Sequence, residues 1–462
     1  MTAAGSSPPI AVRLNPLTWI KQRLFPNVVS GIVTVILVPV LVYLGYRVVM
    51  FVAVNGRWEA VSRNLTLFMQ GTFPRDEQWR LVSQIVVLAM AMGVGASTAG
   101  AAAADRARDA GLPVVKQTFR GVVQRFWPVT LFILTLLYFA STVTPWLVVL
   151  GSVVAFLVGS VARFLPTRLR NLGWVLMTLL IVAGFQVVSG TTGRSWMMSA
   201  LLVATGTLIA FPLDGLGPRV RPAARAGLAL IAAGVVFGIY TLIPLAGIGW
   251  DRWSGLMLTL WVSALAIILS FPLGLLLALA RRSTLPALRF LATGYIELIR
   301  GVPLITLLFM GQYILGFMLP AGSDLSSITR AIAAMTLFTA AYVAEIVRGG
   351  LQSLPSGQVE AAQALGLSPA KAMRLIILPQ ALRAVIPAMV GQFISIFKDS
   401  SLLYILAINE FLGVRSLVHA QPDFRSIAHA ETLVFVAFGY WAFSYSMSKE
   451  SQRLERRLRV GL

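Results

Sequence analysis

The chain contains no cysteine and only two histidines among its 462 residues. Disulfide bonds and thiolate chemistry are therefore excluded, and His419 and His429 make at most a sparse metal site. No nucleophile can be paired with a base in this composition, so we predict no catalytic residue and no metal. The phosphate-cradling pattern G-x-x-x-x-G-K-[ST] is also absent. We therefore expect that this chain is not an enzyme, carries no cofactor and cannot hydrolyse ATP alone.

Charged residues are scarce, at 12% of the chain, whereas 57% of the residues are hydrophobic. An ordinary soluble domain is about 25% charged. A mean hydropathy of +0.81 likewise indicates a membrane protein. The net charge of +21 could suggest nucleic-acid binding. However, Lys and Arg accumulate in the cytoplasmic loops of membrane proteins, so we expect contact with membrane lipid and no nucleic acid.

Apolar runs long enough to cross a bilayer predict an all-α, polytopic membrane protein with about twelve transmembrane helices. The first run begins near Val28 and is too long for a signal peptide, so we expect it to be a retained span. The predicted spans lie near 28–54, 81–104, 127–142, 146–162, 173–189, 197–212, 226–246, 255–280, 302–320, 331–348, 384–408 and 431–448.

The positive charges predict the orientation of these spans. Most of the 38 Lys and Arg residues fall in the segments that are cytoplasmic if the N-terminus is cytoplasmic. Both termini are therefore predicted in the cytoplasm of a bacterial cell, with the spans in the inner membrane. The chain divides into an extension of about six spans at 1–225, a linking span at 226–250, a core at 251–448 and a tail at 449–462, whose basic residues favour anionic lipid.

One cytoplasmic loop, residues 355–380, interrupts the hydrophobic core and predicts two short helices. Ser356 is a plausible N-cap of the first helix, and Gly366 lies where a left-handed residue ends one. Ser368 and Pro369 suit the start of the second helix. A thin, alanine-rich helix allows close approach to a groove on a partner. Taken alone, these local features favour a solvated connecting helix over a contact helix.

The spacing in this loop favours the first interpretation. Glu-Ala-Ala, a glycine, an isoleucine and Leu-Pro follow at intervals that resemble the EAA loop of binding-protein-dependent ABC importers. We call residues 355–380 the EAA loop. The resemblance implies that this loop couples the permease to a separate ATPase. The residues that it implies for this contact are Glu360, Ala361, Ala362, Gly366, Ile376, Leu378 and Pro379.

Four flanking segments extend the resemblance over about 250–450. They begin at Leu258, Glu297, Ala341 and Lys398, and they resemble the core helices of the histidine/glutamine-type polar amino acid permeases. With its long N-terminal part, the chain is most similar to the M-type subunit of general L-amino-acid permeases. The resemblance implies a five-helix core and import of polar L-amino acids. It also implies three partners: an ATP-binding subunit dimer holding ATP and Mg, a homologous second permease and a periplasmic amino-acid-binding protein.

Polar residues at membrane depth are costly and therefore need an explanation. Lys398, Asp399, Ser400 and Ser401 could contact the ends of an amino acid, or they could hold neighbouring helices together. The Gly301–Pro303 break could free backbone groups for a substrate, as in discontinuous helices. Gln392 is a further candidate for the substrate pathway. The i,i+3 pairs Glu297–Arg300 and Glu345–Arg348 favour salt bridges along single helices over substrate binding.

Two other function classes compete with an ABC permease. An ion-coupled secondary amino acid transporter predicts inverted repeats and charges at mid-membrane. A membrane scaffold or sensor suits residues 1–225 taken alone. Neither explains the EAA loop, so both rank below the permease.

Overall fold

The computed structural model describes residues 22–76, 145–164, 252–318, 325–425 and 427–459, with Ile20, Gly111 and single positions between 78 and 108. In these parts every regular element is a helix, and one isolated bridge joins Gly255 to Glu410. The helical class predicted from the sequence is therefore confirmed for the described residues. The chain divides into two compact units, Met1–Trp58 and Glu59–Leu462.

The first unit contains one long apolar helix, α1 (Val28–Met50), which continues through a π-helical segment, Phe51–Asn55. The Asn27 side chain accepts a hydrogen bond of 2.8 Å from the Ser30 N–H and so caps the helix. No residue of α1 is buried in the chain. An apolar helix of this length is stable in lipid rather than in water, in agreement with the predicted span at 28–54.

Short helices begin the second unit, at a segment that the sequence placed outside the membrane. Helices α2 (Glu59–Ser62) and α3 (Leu65–Gln70) lie against the start of α5 (Gly255–Arg281) and against the helix at the end of the core. Phe68 is fully buried. The N–H of Thr72 donates to the Ser254 hydroxyl over 2.7 Å. These contacts attach residues 59–73 to one end of the core.

Helix α4 (Pro145–Ser160) packs closely against residues near 90–94. A Cβ on Gly159 would lie 2.3 Å from the Met90 carbonyl oxygen, and one on Gly93 2.2 Å from the Phe156 carbonyl oxygen. Small residues thus allow the backbones to approach, as expected for membrane helices. The predicted spans at 127–142, 173–189, 197–212 and 226–246 lie outside the described residues, as does the predicted domain boundary near 225–250.

The remaining helices form the core. After α5 they are α6 (Pro286–Gly301), α7 (Leu304–Phe309), α8 (Leu315–Met318), α9 (Ser327–Gln352), α10 (Gly357–Ala364), α11 (Pro369–Ala372), α12 (Leu378–Asp399), α13 (Val414–His419) and α14 (His429–Arg459). Helix α9 packs against α5, α6 and α12, and α12 packs against α14. Because α9 ends and α12 begins at the EAA loop, that loop marks one end of the core. We call the opposite end the far end.

Four helical segments of the described chain are long and apolar enough to cross a membrane, or five if one bent pair counts as a single span. The bent pair extends the predicted span at 302–320 toward the N-terminus and bends it at the predicted break. Helix α6 already begins at Pro286, and the chain turns by 107° between Gly301 and Leu304. Hydropathy missed α6 because Arg289, Glu297 and Arg300 interrupt its apolar face. The count of twelve stays a prediction.

Candidate functional site

The EAA loop folds as two short helices, as its sequence predicts. Helix α10 begins after Ser356, whose carbonyl oxygen accepts from the N–H groups of Val359 and Glu360, at 2.9 and 3.2 Å. Ser356 occupies the N-cap position, as predicted, although its side chain makes no capping hydrogen bond. Pro369 is the first residue of α11, where its missing N–H leaves no hydrogen bond unmade.

Gly366 ends α10 in the left-handed conformation, with φ +70°. The Gly366 N–H donates to the Gln363 carbonyl over 2.9 Å, and the Leu367 N–H donates to the Ala362 carbonyl over 3.1 Å. This pair of bonds is a Schellman motif, which satisfies carbonyls that the helix end leaves free. The geometry gives a local physical reason for glycine at this position.

The predicted contact residues of α10 fall into two groups, one exposed and one buried. Glu360 and Ala361 are exposed, whereas Ala362 is fully buried in the chain. Leu365, which the sequence analysis did not select, leaves 76% of its surface exposed. An apolar side chain so exposed in a loop predicted to lie in water suits a partner's groove.

The residues after α10 anchor the EAA loop to the core. Leu378 is buried, and Ile376 and Pro379 are half-buried. Ile376 and Leu378 pack in a hydrophobic cluster with Val347 and Ala381 of α9 and α12. With Ala362, these residues hold the loop in place, and the face open to a partner is formed by Glu360, Ala361 and Leu365.

An ionic cluster joins α5, α6 and α9 at the same end of the core. Glu345 contacts Arg281 at 3.3 Å, Arg300 at 3.6 Å and Arg348 through a shorter ion pair. Glu297 pairs with Arg281 at 2.8 Å. The predicted Glu345–Arg348 pair is therefore present. The predicted Glu297–Arg300 pair is replaced by bonds between helices, because the bundle brings Arg281 and Glu345 closer to these two side chains.

The structure brings two predicted pathway segments together. Helix α7, which follows the break at Gly301 and Pro303, packs beside the 3₁₀ helix Ser400–Leu406. Gly301 and Pro303 are exposed, and no atom outside the helix lies within 4 Å of a Cβ built on Gly301. An exposed helix break is a place where backbone groups can meet a ligand.

The polar residues of α12 lie on different sides of its last turns. Lys398 is exposed, Gln392 and Asp399 are half-buried, and Ser401 is half-buried just beyond the helix. Ser400 is fully buried, and its hydroxyl donates to the Phe397 carbonyl over 2.6 Å. Lys398 is therefore the most accessible of these side chains, Gln392 and Asp399 are partly accessible, and Ser400 packs within the core.

Glu410 is a buried acid that the sequence analysis did not select. Its carboxylate accepts hydrogen bonds from the N–H groups of Leu412 and Gly413 and from the hydroxyls of Tyr440 and Thr259. Burial raises the pKa of Glu410 to about 7, although these bonds oppose the rise. The only feature of the sequence that could have drawn attention to Glu410 is its position directly after an apolar run, and that position does not indicate whether its side chain is buried.

The two histidines meet at the far end. The rings of His419 and His429 stack with their centroids 3.9 Å apart. His419 also contacts the Phe424 carbonyl at 3.2 Å and the Thr432 hydroxyl at 3.0 Å. Burial lowers the pKa of His419. In the part of the chain that the structure describes, no three His, Cys, Asp or Glu side chains group as metal ligands.

Comparison with known proteins identifies related chains. Residues 270–460 match the family described as "Binding-protein-dependent transport system inner membrane component". The glutamate/glutamine/aspartate/asparagine transport system permease protein BztC of Rhodobacter capsulatus is 37% identical over 303 residues, which cover 63% of this chain and 68% of the relative.

Two further relatives align mainly with one part of the chain. The inner membrane amino-acid ABC transporter permease protein YhdY of Escherichia coli is 44% identical over 210 residues, 46% of this chain and 57% of the relative. The probable glutamine ABC transporter permease protein GlnP of Bacillus subtilis is 38% identical over 206 residues, 44% of this chain and 92% of the relative. The chain thus spans less than two thirds of YhdY but nearly the full length of GlnP.

Proposed function

The chain belongs to the family of binding-protein-dependent transport system inner membrane components, and on this premise we propose that it is the permease subunit of an ABC importer that carries polar L-amino acids into the cytoplasm. The substrate class follows from the relatives, whose names specify glutamate, glutamine, aspartate and asparagine transport or amino-acid transport in general. Membership of this family agrees with the resemblance carried by the EAA loop.

One observation carries the proposed driving mechanism: the exposed face of α10 at one end of the core. Glu360, Ala361 and Leu365 form this face, while Ala362 holds the helix to the chain. We propose that it docks in a cleft of a separate ATP-binding subunit, which forms a dimer and binds ATP and Mg. Movement of α10 would then reach α9 and α12, because the EAA loop connects these two helices directly.

A second permease subunit and a periplasmic amino-acid-binding protein complete the proposed complex. Substrate released by the binding protein would enter between the two permeases. Lys398 can pair with a substrate carboxylate and Gln392 can hydrogen-bond either end of an amino acid. The exposed backbone at Gly301 offers a further polar surface, and the helix that follows the break, α7, packs beside the segment that contains Ser401. Nucleotide binding shifts access from one side to the other only if it favours one of the two states.

The proposed topology has about twelve spans in the bacterial inner membrane, with both termini in the cytoplasm. The excess of Lys and Arg in alternate segments supports this orientation. It places α10 in the cytoplasm, where an ATPase can reach it, and the far end of the core in the periplasm, where a binding protein can reach it.

Co-purification tests the docking. The tagged chain should bring down an ATP-binding subunit, and deletion of residues 356–366 should remove it. Substitution of Ala361→Leu should prevent docking without unfolding the chain, because Ala361 is exposed. The matched change Ala362→Leu should instead reduce the yield of folded chain, because that side chain has no free space around it. Retention of the ATPase after both the deletion and Ala361→Leu would contradict docking on α10.

Transport itself is tested with the reconstituted complex. Glu360→Gln should lower amino acid uptake more than assembly, because the carboxylate lies on the docking face. L-Glutamine, L-glutamate, L-aspartate and L-asparagine, each delivered with the binding protein, should be compared for stimulation of ATP hydrolysis. Uptake driven by an ion gradient in vesicles without any ATPase would indicate a secondary transporter instead.

A further inference from the structure

At the far end of the core, one buried carboxylate joins three parts of the chain. The Glu410 carboxylate accepts from the backbone of its own turn at Leu412 (2.9 Å) and Gly413 (2.7 Å). It accepts from Tyr440 of α14 over 2.7 Å and, more weakly, from Thr259 of α5 over 3.4 Å. We call residues 407–413 the far-end turn.

The backbone of the far-end turn is attached to α5 at the same place. The Gly255 N–H donates to the Asn409 carbonyl over 2.8 Å, and the Phe411 N–H donates to the Thr259 hydroxyl over 2.9 Å. Ala407 starts the turn with φ +56°, a conformation that is unfavourable for alanine. An alanine held in that conformation indicates that the contacts of the turn determine its shape.

Tyr440 extends this network to the end of α12. Its hydroxyl lies 2.7 Å from Glu410 and 3.5 Å from the Ser400 hydroxyl. The Tyr440 ring also packs on Phe397, with centroids 5.3 Å apart. A change in the position of Glu410 therefore reaches the segment that carries Lys398 and Ser401.

The carboxylate has no cation among the groups that hold it. Its partners are the Thr259 hydroxyl of α5, the Tyr440 hydroxyl of α14 and two N–H groups of its own turn. Among these four groups, only the Tyr440 hydroxyl is titratable. Phe68 of α3 and Phe435 of α14 pack on Phe411 and keep water away on that side. A charge held only by dipoles in a dry site is sensitive to protonation.

We propose that Glu410 is a positioning residue that holds the far-end turn closed on α5 and α14 and, through Tyr440, keeps Ser400 in place at the end of α12. Burial without a cation favours the neutral carboxyl, whose proton the hydroxyl oxygen of Thr259 or Tyr440 can accept. The closed turn is therefore most stable when Glu410 is protonated, and it opens more readily when the carboxyl is charged. The role of the turn in transport rests on the proposed function, whereas the closed and open states of the turn do not.

Proton linkage gives the direction and the size of the pH effect on opening of the far-end turn. With a pKa of about 7 in the closed turn and about 4.5 when hydrated, the closed form binds more protons. The opening equilibrium should then increase about tenfold between about pH 6 and pH 8, and it should level off well above pH 7. A turn held only by apolar packing would show no such slope.

The absence of cysteine makes opening measurable in the full chain. We suggest a single cysteine in place of the buried Ile408, labelled with a maleimide in the purified, detergent-solubilised protein. Thiolate formation also rises with pH, so each rate is divided by that of Asp423→Cys, whose side chain is 75% exposed. The normalised rate should rise about tenfold between about pH 6 and pH 8. A flat normalised rate would overturn the proposal.

Variants at Glu410 show whether this carboxyl causes the slope. Glu410→Gln should reduce the slope to less than about twofold, and Glu410→Asp should restore it, because a carboxyl is again present. Glu59→Gln, which changes an exposed carboxylate on α2, should leave the slope intact. An unchanged slope in Glu410→Gln would contradict the proposal. If Glu410→Gln yields no folded chain, the pH slopes of the normalised labelling rate in the wild type and in Glu410→Asp test the proposal, and both should be about tenfold between about pH 6 and pH 8.

The role of Tyr440 needs a second reporter, a single cysteine in place of Ser401. Its normalised labelling should follow the same pH slope. Tyr440→Phe should abolish the slope at position 401 while the slope at position 408 persists, and Tyr445→Phe on the same helix should change neither. A slope at 401 that survives Tyr440→Phe would refute transmission through Tyr440. These measurements need no ATPase and no substrate, so their failure is distinct from failure of the importer assignment.

Discussion

At the scale of single residues, Gly366 determines how helix α10 ends. Its φ of +70° is unfavourable for any residue with a Cβ, although nothing lies within 4 Å of that position. Gly366→Ala should therefore weaken the end of α10 by about 1 kcal/mol through backbone strain alone. We expect amide hydrogen exchange across 357–367 to become about fivefold faster.

Gly357 provides the matched control for this change. It also has open space around its Cβ position, but it lacks a positive φ. Gly357→Ala should leave exchange in α10 unchanged or slower, because alanine favours the helix. Equal effects of the two substitutions would mean that the Schellman geometry does not stabilise α10.

Glu345 pairs with three arginines that come from three helices. Glu345→Gln should destabilise the core by on the order of 2 kcal/mol, because the charges of Arg281, Arg300 and Arg348 lose their common partner in a partly buried site. Thermal unfolding in detergent should show a lower midpoint. Glu297→Gln, at a side chain that is 55% exposed and bound to Arg281 alone, should cost less than about 1 kcal/mol.

Several residue roles could not be read from the sequence. The Glu-Ala-Ala pattern predicts a contact helix but does not show that Ala361 is exposed and Ala362 is buried. That difference depends on how α10 lies on the rest of the loop. The burial of Glu410 depends on Thr259 and Tyr440, which are distant in sequence. No local pattern contains that information.

At the scale of elements, close contact between α5 and α9 depends on one small residue. A Cβ on Gly274 would lie 2.5 Å from Val343 Cγ1 and 2.7 Å from the Ala340 carbonyl oxygen. Gly274→Ala should push the helices apart and destabilise the core by about 1–3 kcal/mol, measured as a lower thermal midpoint. Gly294→Ala on α6, where no atom outside the helix lies within 4 Å, should leave the midpoint unchanged or raise it, because alanine favours the helix.

Elements were predicted well where hydrophobicity alone defines them. The helices at 28–50, 255–281 and 327–352 match predicted spans because continuous apolar length is a local property. Helix α6 was missed because it carries charges that the tertiary structure pairs with α5 and α9. The turn of 107° between α6 and α7 was foreseen only as a break at Gly301 and Pro303, since a local sequence does not determine the angle between two helices.

At the scale of the whole molecule, the orientation in the membrane can be tested with single cysteines. In intact cells, a membrane-impermeant maleimide should label Asp423→Cys and should not label Leu365→Cys. After permeabilisation both should react, because both side chains are exposed. The positive-inside rule gives this expectation. The reverse pattern would place α10 outside the cell and exclude docking to a cytoplasmic ATPase.

The sequence by itself determined the class of the molecule and the position of its EAA loop. Hydropathy, charge distribution and the spacing from Glu360 to Pro379 are properties of neighbouring residues, and the physics of membrane insertion and helix ends acts on neighbours. Only the tertiary structure decided which residues of that loop face a partner, which arginines surround Glu345 and why Glu410 is buried. Those outcomes depend on helices packed together from distant parts of the chain, where the shape of the bundle selects the contacts.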